Sequence, residues 1–551
     1  MILVILLFAA ACNDDGGNGG NVTLKDYGIS EEYMPAVSSV EKFEGEIGVS
    51  LIFGNTIDAW KNVRAEYNKL QPHVRVTLNE STAEEYRTLL SNELSSSTSN
   101  WDIFQGNYAQ SRLATVAYDF YPDITQSKNV YAGDGIWRNV LDKNAYITEI
   151  NSNKSYILNS QFLMTAWFVN ADAFIGAGLA DPQDASKPAV PATWDELIAA
   201  CASLKAQGYT NPLGLAGSQE SLQSSQFSWL LRVYGDQYYR EELQNIIPVK
   251  GDYNYNAYIA GFEYDEYDTQ PEGDSKFVVN EARLYNAILD SSSANFVGGT
   301  SEKYKEFLSN LAMISDYVSP SFLTQGHTDV RAAFVANRAD KTSPVILLDY
   351  LGFGINFPEY MKSSAAPFDI EFFDYPHMTG EHVSTDFVRD VGGNGGYITM
   401  RYHDESMKPG QNKLTKDFIK FFMSPYGQSA FYEGLKDNSV APEGKSLVRH
   451  IQTPEEWRAV YDSDKITFNG LCDMNPFLTS FVYTVDGLTD INNKNAEMLG
   501  DLITKRTTGA EAAAVWHQDV FNFYQTNVFP RKGYKLDCYL NPSVSPVIGR
   551  Q

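Results

Sequence analysis

Cysteine is scarce in this chain: 551 residues contain four, at 12, 201, 472 and 538. With Cys12 set apart, the remaining three cannot all pair internally, so no disulfide framework is implied and packed cores must hold the fold. Long apolar runs are also lacking. Past residue 11 no segment offers the roughly 18 uncharged apolar residues of a membrane helix. Basic residues are outnumbered, with 43 Lys and Arg against 69 Asp and Glu and a formal net charge of −26. That balance argues against a nucleic-acid partner, which requires clustered positive charge. Catalytic signatures are missing too: there is no Gly-x-Ser-x-Gly elbow, no His-Glu-x-x-His, no phosphate loop ending in Gly-Lys-Ser/Thr and no EF-hand spacing. Gly352-Phe-Gly354 and Gly392 to Gly396 are glycine pairs without a dinucleotide fingerprint. His377 and His382, beside Asp374 and Glu381, have metal-binding donors, but their loop-like setting reads more simply as surface histidine. A glycoside hydrolase needs two facing carboxylates, and no pair stands out among so many acids. No metal or cofactor is expected.

What is present begins at the start of the chain. An apolar run from Ile2 ends in Ala9-Ala10-Ala11-Cys12 and passes directly into Asn-Asp-Asp-Gly-Gly-Asn-Gly-Gly. A short hydrophobic segment with small residues before a cysteine is the pattern of a bacterial lipoprotein leader. Two features depart from it: Ala9 stands where a large aliphatic residue is usual, and no Lys or Arg precedes the run. On this reading residues 1–11 are a signal peptide and Cys12 carries lipid. Residues 12–44 are polar and aperiodic, and read as a flexible linker with a reach of roughly 30 Å.

Regular patterning follows. Gly45 to Phe53 reads as a buried strand, Ile57, Trp60, Val63, Tyr67 and Leu70 as a helical stripe, and Val74, Val76 and Leu78 as an alternating strand. A second amphipathic stretch, Tyr86 to Leu94, leads to the short strand Trp101-Asp-Ile-Phe104, so two crossovers predict a parallel sheet with helices on its faces. Thr193-Trp-Asp-Glu196 is a capping box opening a helix to Gly208, on which Leu197, Ile198, Cys201 and Leu204 share a face, making Cys201 a core residue. A tyrosine-rich region from about 236 to 280 contains Glu263-Tyr-Asp-Glu-Tyr-Asp268, read as a solvated surface excursion.

The order of motifs resembles the family 1 extracellular solute-binding proteins of ABC importers, which include sugar-binding lipoproteins. The resemblance covers nearly all of residues 45–551. It rests on the opening strand and helix, Tyr67-Asn-Lys-Leu-Gln-Pro-His-Val-Arg-Val76, Trp101 to Phe104, Trp167-Phe-Val-Asn-Ala-Asp-Ala-Phe174 with Ala177-Gly-Leu179 and Thr193 to Leu197, Ala332 to Asn337, Val391-Gly-Gly-Asn-Gly-Gly-Tyr397, and Phe418 to Gln428. It implies an α/β clamshell of the type II periplasmic-binding-protein kind, with two discontinuous lobes and a hinge. The expected division is 45–162 in lobe 1, 163–392 in lobe 2, 393–440 returning to lobe 1, and 441–551 as a mainly helical C-terminal segment packing on lobe 2 and the cleft. The implied protein is a monomer held by its lipid on the extracytoplasmic face of the cell membrane. It captures a solute, most simply a carbohydrate, for a permease. A non-sugar solute binder, a surface carbohydrate-active enzyme and an adhesion module are the alternatives.

A carbohydrate site combines flat aromatic rings for apolar sugar faces with amides and carboxylates for the hydroxyls. In open parallel sheets, ligands sit beyond the carboxyl ends of the strands. The candidates are therefore Asn55, Asn107 and Tyr108 after first-lobe strands, Gln161 and Asn394 at the crossovers, Gln226 and Trp229, and Asp349 with Tyr350 at a strand end. Phe477, in Met474-Asn-Pro-Phe477, resembles a segment that supplies a ring to sugar in relatives. Trp229 fits a core position as well, since Leu230 and Leu231 follow it, and Asn394 between glycines fits a turn. Asp349 is the sharpest candidate, because an acid after Val345-Ile-Leu-Leu348 is costly if buried without a partner.

Overall fold

The structure is a computed structural model that describes residues 23–545 apart from 82, 97–98, 107–112, 147–153, 219–220, 223–225, 256–278, 291–300, 443, 468, 470–471, 473–488, 524–525 and 527–540. The acidic tyrosine-rich stretch around 263–268 lies outside the described residues.

In chain order the strands are β1 (Gly45–Leu51), β2 (Val74–Glu80), β3 (Ile103–Phe104), β4 (Lys128–Asn129), β5 (Gly135–Ile136), β6 (Leu158–Leu163), β7 (Thr165–Asn170), β8 (Leu213–Gly214), β9 (Ile346–Tyr350), β10 (Ile370–Phe373), β11 (Gly393–Met400) and β12 (Gly444–Ser446). They form a six-stranded sheet in the order β12-β6-β11-β3-β1-β2, a four-stranded sheet in the order β10-β7-β9-β8, and the small pair β4-β5. As the patterning predicts, β1 runs parallel to β2 and to β3. The helix Ile57–Leu70 links β1 to β2 and buries Trp60, Val63, Tyr67 and Leu70, the stripe expected of a helix lying on a sheet. The six-stranded sheet is mixed rather than parallel throughout, because β11 runs antiparallel to both β3 and β6.

Strand register brings the two sheets together at one point. Only Met164 separates β6 from β7. Within the second sheet Thr165 pairs with Tyr350, and the Leu351 amide donates to the Met164 carbonyl at 2.8 Å. Because β8 is parallel to β9 and antiparallel β7 starts where β9 ends, the carboxyl ends of β8 and β9 face this junction. In the first sheet Thr399 pairs with Phe104 and Gly395 with Gln161, so the carboxyl ends of β1 and β3 lie toward the same junction.

One core collects Trp167, Trp194, Trp229 and Cys201 around one face of the second sheet. Another runs from Ile47, Trp60 and Phe422 in the first sheet's layer to Leu347, Phe353 and Phe357, so apolar packing is continuous across the junction. Cys201 is fully buried on the helix Trp194–Ala206, which the reciprocal Thr193 and Glu196 capping box opens. The C-terminal helices Thr489–Ile503 and Gly509–Phe523 pack on the helix Glu302–Ala312 beside the second sheet. Earlier in that C-terminal stretch, however, β12 extends the first sheet against β6.

Residues 23–44 differ from the flexible linker expected over 12–44. Ile29 and Val40 are buried in the core, Lys25 bonds Glu433, and Tyr27 meets Tyr426 edge-on at 5.1 Å. Tyr33 stacks on His450 at 3.8 Å, and the Phe43 amide donates to Gln71. Isolated apolar anchors and backbone hydrogen bonds hold this strap to the first sheet's layer without any periodic pattern.

Candidate functional site

At the junction a groove of about 190 Å³ opens on the first sheet's side. Its walls are Ile52 and Phe53 just after β1, Thr56, Gln105 just after β3, Ser160 and Gln161 of β6, Gly396 and Tyr397 of β11, Phe431 and Leu435 of the helix Pro425–Asp437, and Pro442. The glycine at 396 has a physical cause: its φ is +60°, and a Cβ there would lie 2.1 Å from Ser160 Oγ. Gln105 and Gln161 bring two side-chain amides, neither engaged by a partner among the described residues. An unengaged glutamine offers two donors and an acceptor. The groove thus presents apolar walls and free amide groups side by side.

Across the junction, Asp349 and Tyr350 end β9. Asp349 is fully buried and does not face the groove as a free acceptor. Its oxygens accept from Arg331 Nε at 2.7 Å and Nη2 at 2.5 Å, lie 3.0 Å from His327 Nε2, and take the Tyr350 amide at 2.7 Å. Burial would push this carboxyl up, but the hydrogen bonds from Arg331 and His327 outweigh it and hold it below the usual carboxylate range. Arg331 and His327 come from the helix His327–Ala336, and their side chains remain 30% and 17% exposed, so the polar groups nearer solvent at this wall are donors.

Two expectations are corrected here. Trp229 is 2% exposed and meets Tyr350 edge-on at 4.8 Å and His327 at 5.5 Å, so it packs behind Tyr350 and offers no free ring face. Gln226 is fully buried: its Oε1 accepts from the Ala216 amide at 2.6 Å and its Nε2 donates to the Leu348 carbonyl, which staples the chain after β8 to β9. Every residue of the helix Gln226–Tyr239 is buried, which accounts for both cases. Gln161 lines the groove, and Asn55 is exposed beside it in the turn Gly54–Thr56. Asn394 pairs with Phe162 in the β11 register, next to the junction. Asn107, Tyr108, Phe477 and Cys12 lie outside the described residues.

Sequence reasoning missed Gln105, Ser160, Ile52, Phe53, Arg331 and His327. The strand-end rule points at Ile52-Phe53 and Gln105, the residues directly after β1 and β3, whereas the candidates chosen, Asn55 and Asn107, lie two residues further on. Arg331 and His327 carried no such signal, being 18 and 22 residues from Asp349 in sequence.

Two α/β layers that meet at the carboxyl ends of their parallel strands, with a mixed polar and apolar groove at the meeting point, define a two-lobed binding protein of the hinged class. The family follows from comparison. Residues 54–429 match the model of the bacterial extracellular solute-binding proteins, and the chain belongs to that family. The fold is similar to a family 1 extracellular solute-binding protein from Bifidobacterium longum subsp. infantis, at 14% identity and a TM-score of 0.53 over 86% of this chain and 98% of that one. It is also similar to a chitin oligosaccharide binding protein, at 16% identity and a TM-score of 0.53 over 87% and 98%. A binding protein of Bacillus subtilis subsp. subtilis str. 168 in an open conformation matches at 14% identity and a TM-score of 0.54 over 88% and 99%. No sequence among the curated proteins matches. Membership in this family places the protein outside the cytoplasm, among binding proteins. Among the described residues no helix is long and apolar enough to cross a membrane.

Proposed function

We propose that this protein is the solute-capturing subunit of an ABC importer, that its solute is a carbohydrate or oligosaccharide, and that it returns that solute unaltered to a permease. The observation that carries the reading is the groove, where the unengaged amides of Gln105 and Gln161 stand beside Phe53 and Tyr397. Sugars have apolar C–H faces and a rim of hydroxyls, and such a surface meets both needs. The chitin oligosaccharide binding protein among the structural relatives supports the same class of solute. Lobe 1 comprises 45–162 and 393–440, and lobe 2 comprises 163–392. They close on the solute as a monomer, with Gln161 and Asn394 on one side and Tyr350, Arg331 and His327 on the other. Cys12 carries the lipid that keeps the protein at the membrane.

A thermal-shift screen against mono- and oligosaccharides tests the solute class. A solute at about 100 times its dissociation constant adds about 2.7 kcal/mol to stability. Small-angle scattering with the hit should show a smaller radius of gyration, and chromatography should recover the sugar intact. A shortened sugar would overturn the reading in favour of an enzyme. For the anchor, Cys12→Ser should release the protein from the membrane fraction, and unchanged fractionation would refute lipidation.

A further inference from the structure

By itself the groove is small for an oligosaccharide. Its volume of about 190 Å³ lies below the range of about 300–1,000 Å³ common to small-molecule sites. A larger cavity, of about 330 Å³, opens on the second sheet's side, between the chain that follows β8 and the helix Thr489–Ile503. Together the two fall inside that range.

Backbone contacts place this cavity beside the second wall. Gly217 and Leu222, which line it, follow the carboxyl end of β8, the end that faces the junction. The Gly217 amide donates to the Phe322 carbonyl and the Ser218 amide to the Gln325 carbonyl, each at 3.0 Å, so this chain is zipped to the segment that brings Leu323 into the cavity wall. The approach is close: a Cβ on Gly217 would lie 2.2 Å from the Phe322 ring. His327, which holds Asp349, comes four residues after Leu323 and so lies within about 14 Å of it. On the strand side, Gln226 ties Ala216, the neighbour of Gly217, to Leu348, the neighbour of Asp349.

The lining repeats the chemistry of the groove with charge added. Leu222, Leu323 and Ala496 give an apolar floor. Gly500 keeps it open, since a Cβ there would lie 3.1 Å from Leu323 Cδ2 and a larger side chain would take up the space between them. At the rim stand Glu497, Asp501 and Arg506. Arg506 Nη2 is 2.8 Å from Asp501 Oδ1, whereas Glu497 is exposed and has no partner among the described residues. Ionised carboxylates only accept hydrogen bonds, and sugar hydroxyls are donors that suit them. With two acids to one arginine, the rim disfavours an anionic ring.

We propose that this cavity is a second subsite of the same solute site, and that the solute is an uncharged oligosaccharide with one end in the groove and the other against Leu222, Leu323 and Glu497. The inference rests on the carbohydrate reading above and narrows it. A single sugar ring would reach only one of the two subsites.

The test is calorimetric titration of the full chain with malto-, xylo- and chito-oligosaccharides, each from the monosaccharide to the hexamer, with oligogalacturonates as the anionic counterpart. For the series that binds, affinity should rise by about tenfold or more with length and then level off, as the outer end gains hydrogen bonds to a charged group. Gly500→Leu, which fills the cavity, should abolish that rise, and Glu497→Ala should reduce it by about tenfold. Should Gly500→Leu fail to fold, Glu497→Ala, a change at an exposed position, carries the comparison. The inference alone is overturned if affinity does not grow with length, if both variants keep the wild-type rise, or if oligogalacturonates bind as tightly as the neutral sugars. Binding by no sugar of any length is a different result, and it would bring down the carbohydrate reading together with this one.

Discussion

Asp349 gives the sharpest test of how the second wall is built. If it were a free acceptor in the cleft, Asp349→Ala would weaken capture and leave folding alone. The structure predicts the reverse order of effects. Asp349 is fully buried and receives Arg331 through two nitrogens and His327 through a third. Removing one member of a buried pair typically costs about 3–5 kcal/mol, because the remaining charge is stranded. Here Arg331 keeps 30% of its side chain exposed and can turn partly to water, which brings the expected cost to the lower end, about 3 kcal/mol. Urea unfolding of Asp349→Asn, which keeps the shape and removes the charge, measures it directly. Adding Arg331→Met should restore much of the loss, since the stranded cation is then gone. The sign with pH is fixed as well. The folded carboxyl is depressed below its unfolded value, so its contribution is complete above the unfolded pKa and disappears as pH falls through the folded one. Asp349→Asn should therefore flatten the acid limb of the stability profile. A cost under about 1 kcal/mol, with no recovery in the double variant, would refute the ion-pair account.

Gln226→Ala strands the Ala216 amide and the Leu348 carbonyl, so it should cost about 2–6 kcal/mol of stability at about 1–3 per buried group; a loss of solute affinity with an unchanged unfolding midpoint would return Gln226 to the site. Gln105→Ala and Gln161→Ala should behave oppositely, each weakening capture about 2- to 12-fold, the equivalent of one neutral hydrogen bond, while calorimetry of the empty protein shows no change. Asp417 accepts hydrogen bonds from Tyr67, Tyr131 and Gln71, yet burial dominates and raises its pKa to about 6. Its folded value exceeds the unfolded one, so wild-type stability should fall by up to about 3 kcal/mol relative to Asp417→Asn as pH rises from about 4 to 6, and equal urea midpoints for the pair at both ends would refute this.

What the sequence made legible follows from where periodicity carries information. The strand-helix-strand opening is a half-buried pattern, so its alternations and stripe match β1, the helix Ile57–Leu70 and β2. The Thr193 and Glu196 capping box is local chemistry and needs no tertiary context. The helix Gln226–Tyr239 defeats the same method, because an element buried all round has no outward face to distinguish ligand contacts from core. Strand β6, Leu-Asn-Ser-Gln-Phe-Leu, is polar in sequence yet buried for almost its whole length, since it lies between β11 and β12. The strap over residues 23–44 has no pattern at all and is held by single contacts such as Tyr33 on His450. Asp349 stands out in the sequence as an acid after an apolar run, but its partners are supplied by another element, and pairing of that kind becomes visible only in three dimensions.

A connection one residue long has no slack. Successive Cα atoms are about 3.8 Å apart, so the ends of β6 and β7 cannot separate appreciably around Met164, whose carbonyl is already held by Leu351. Whatever motion admits a solute must be a turn about a pivot close to this residue, not a sliding apart of the two bodies. Spectroscopic labels flanking Met164 would keep their separation through that turn, while labels on the outer helices Ile57–Leu70 and Glu302–Ala312 would swing through long arcs. The aperture at the mouth is then set by leverage, and a solute that reaches far from the pivot can be gripped or released by a small rotation.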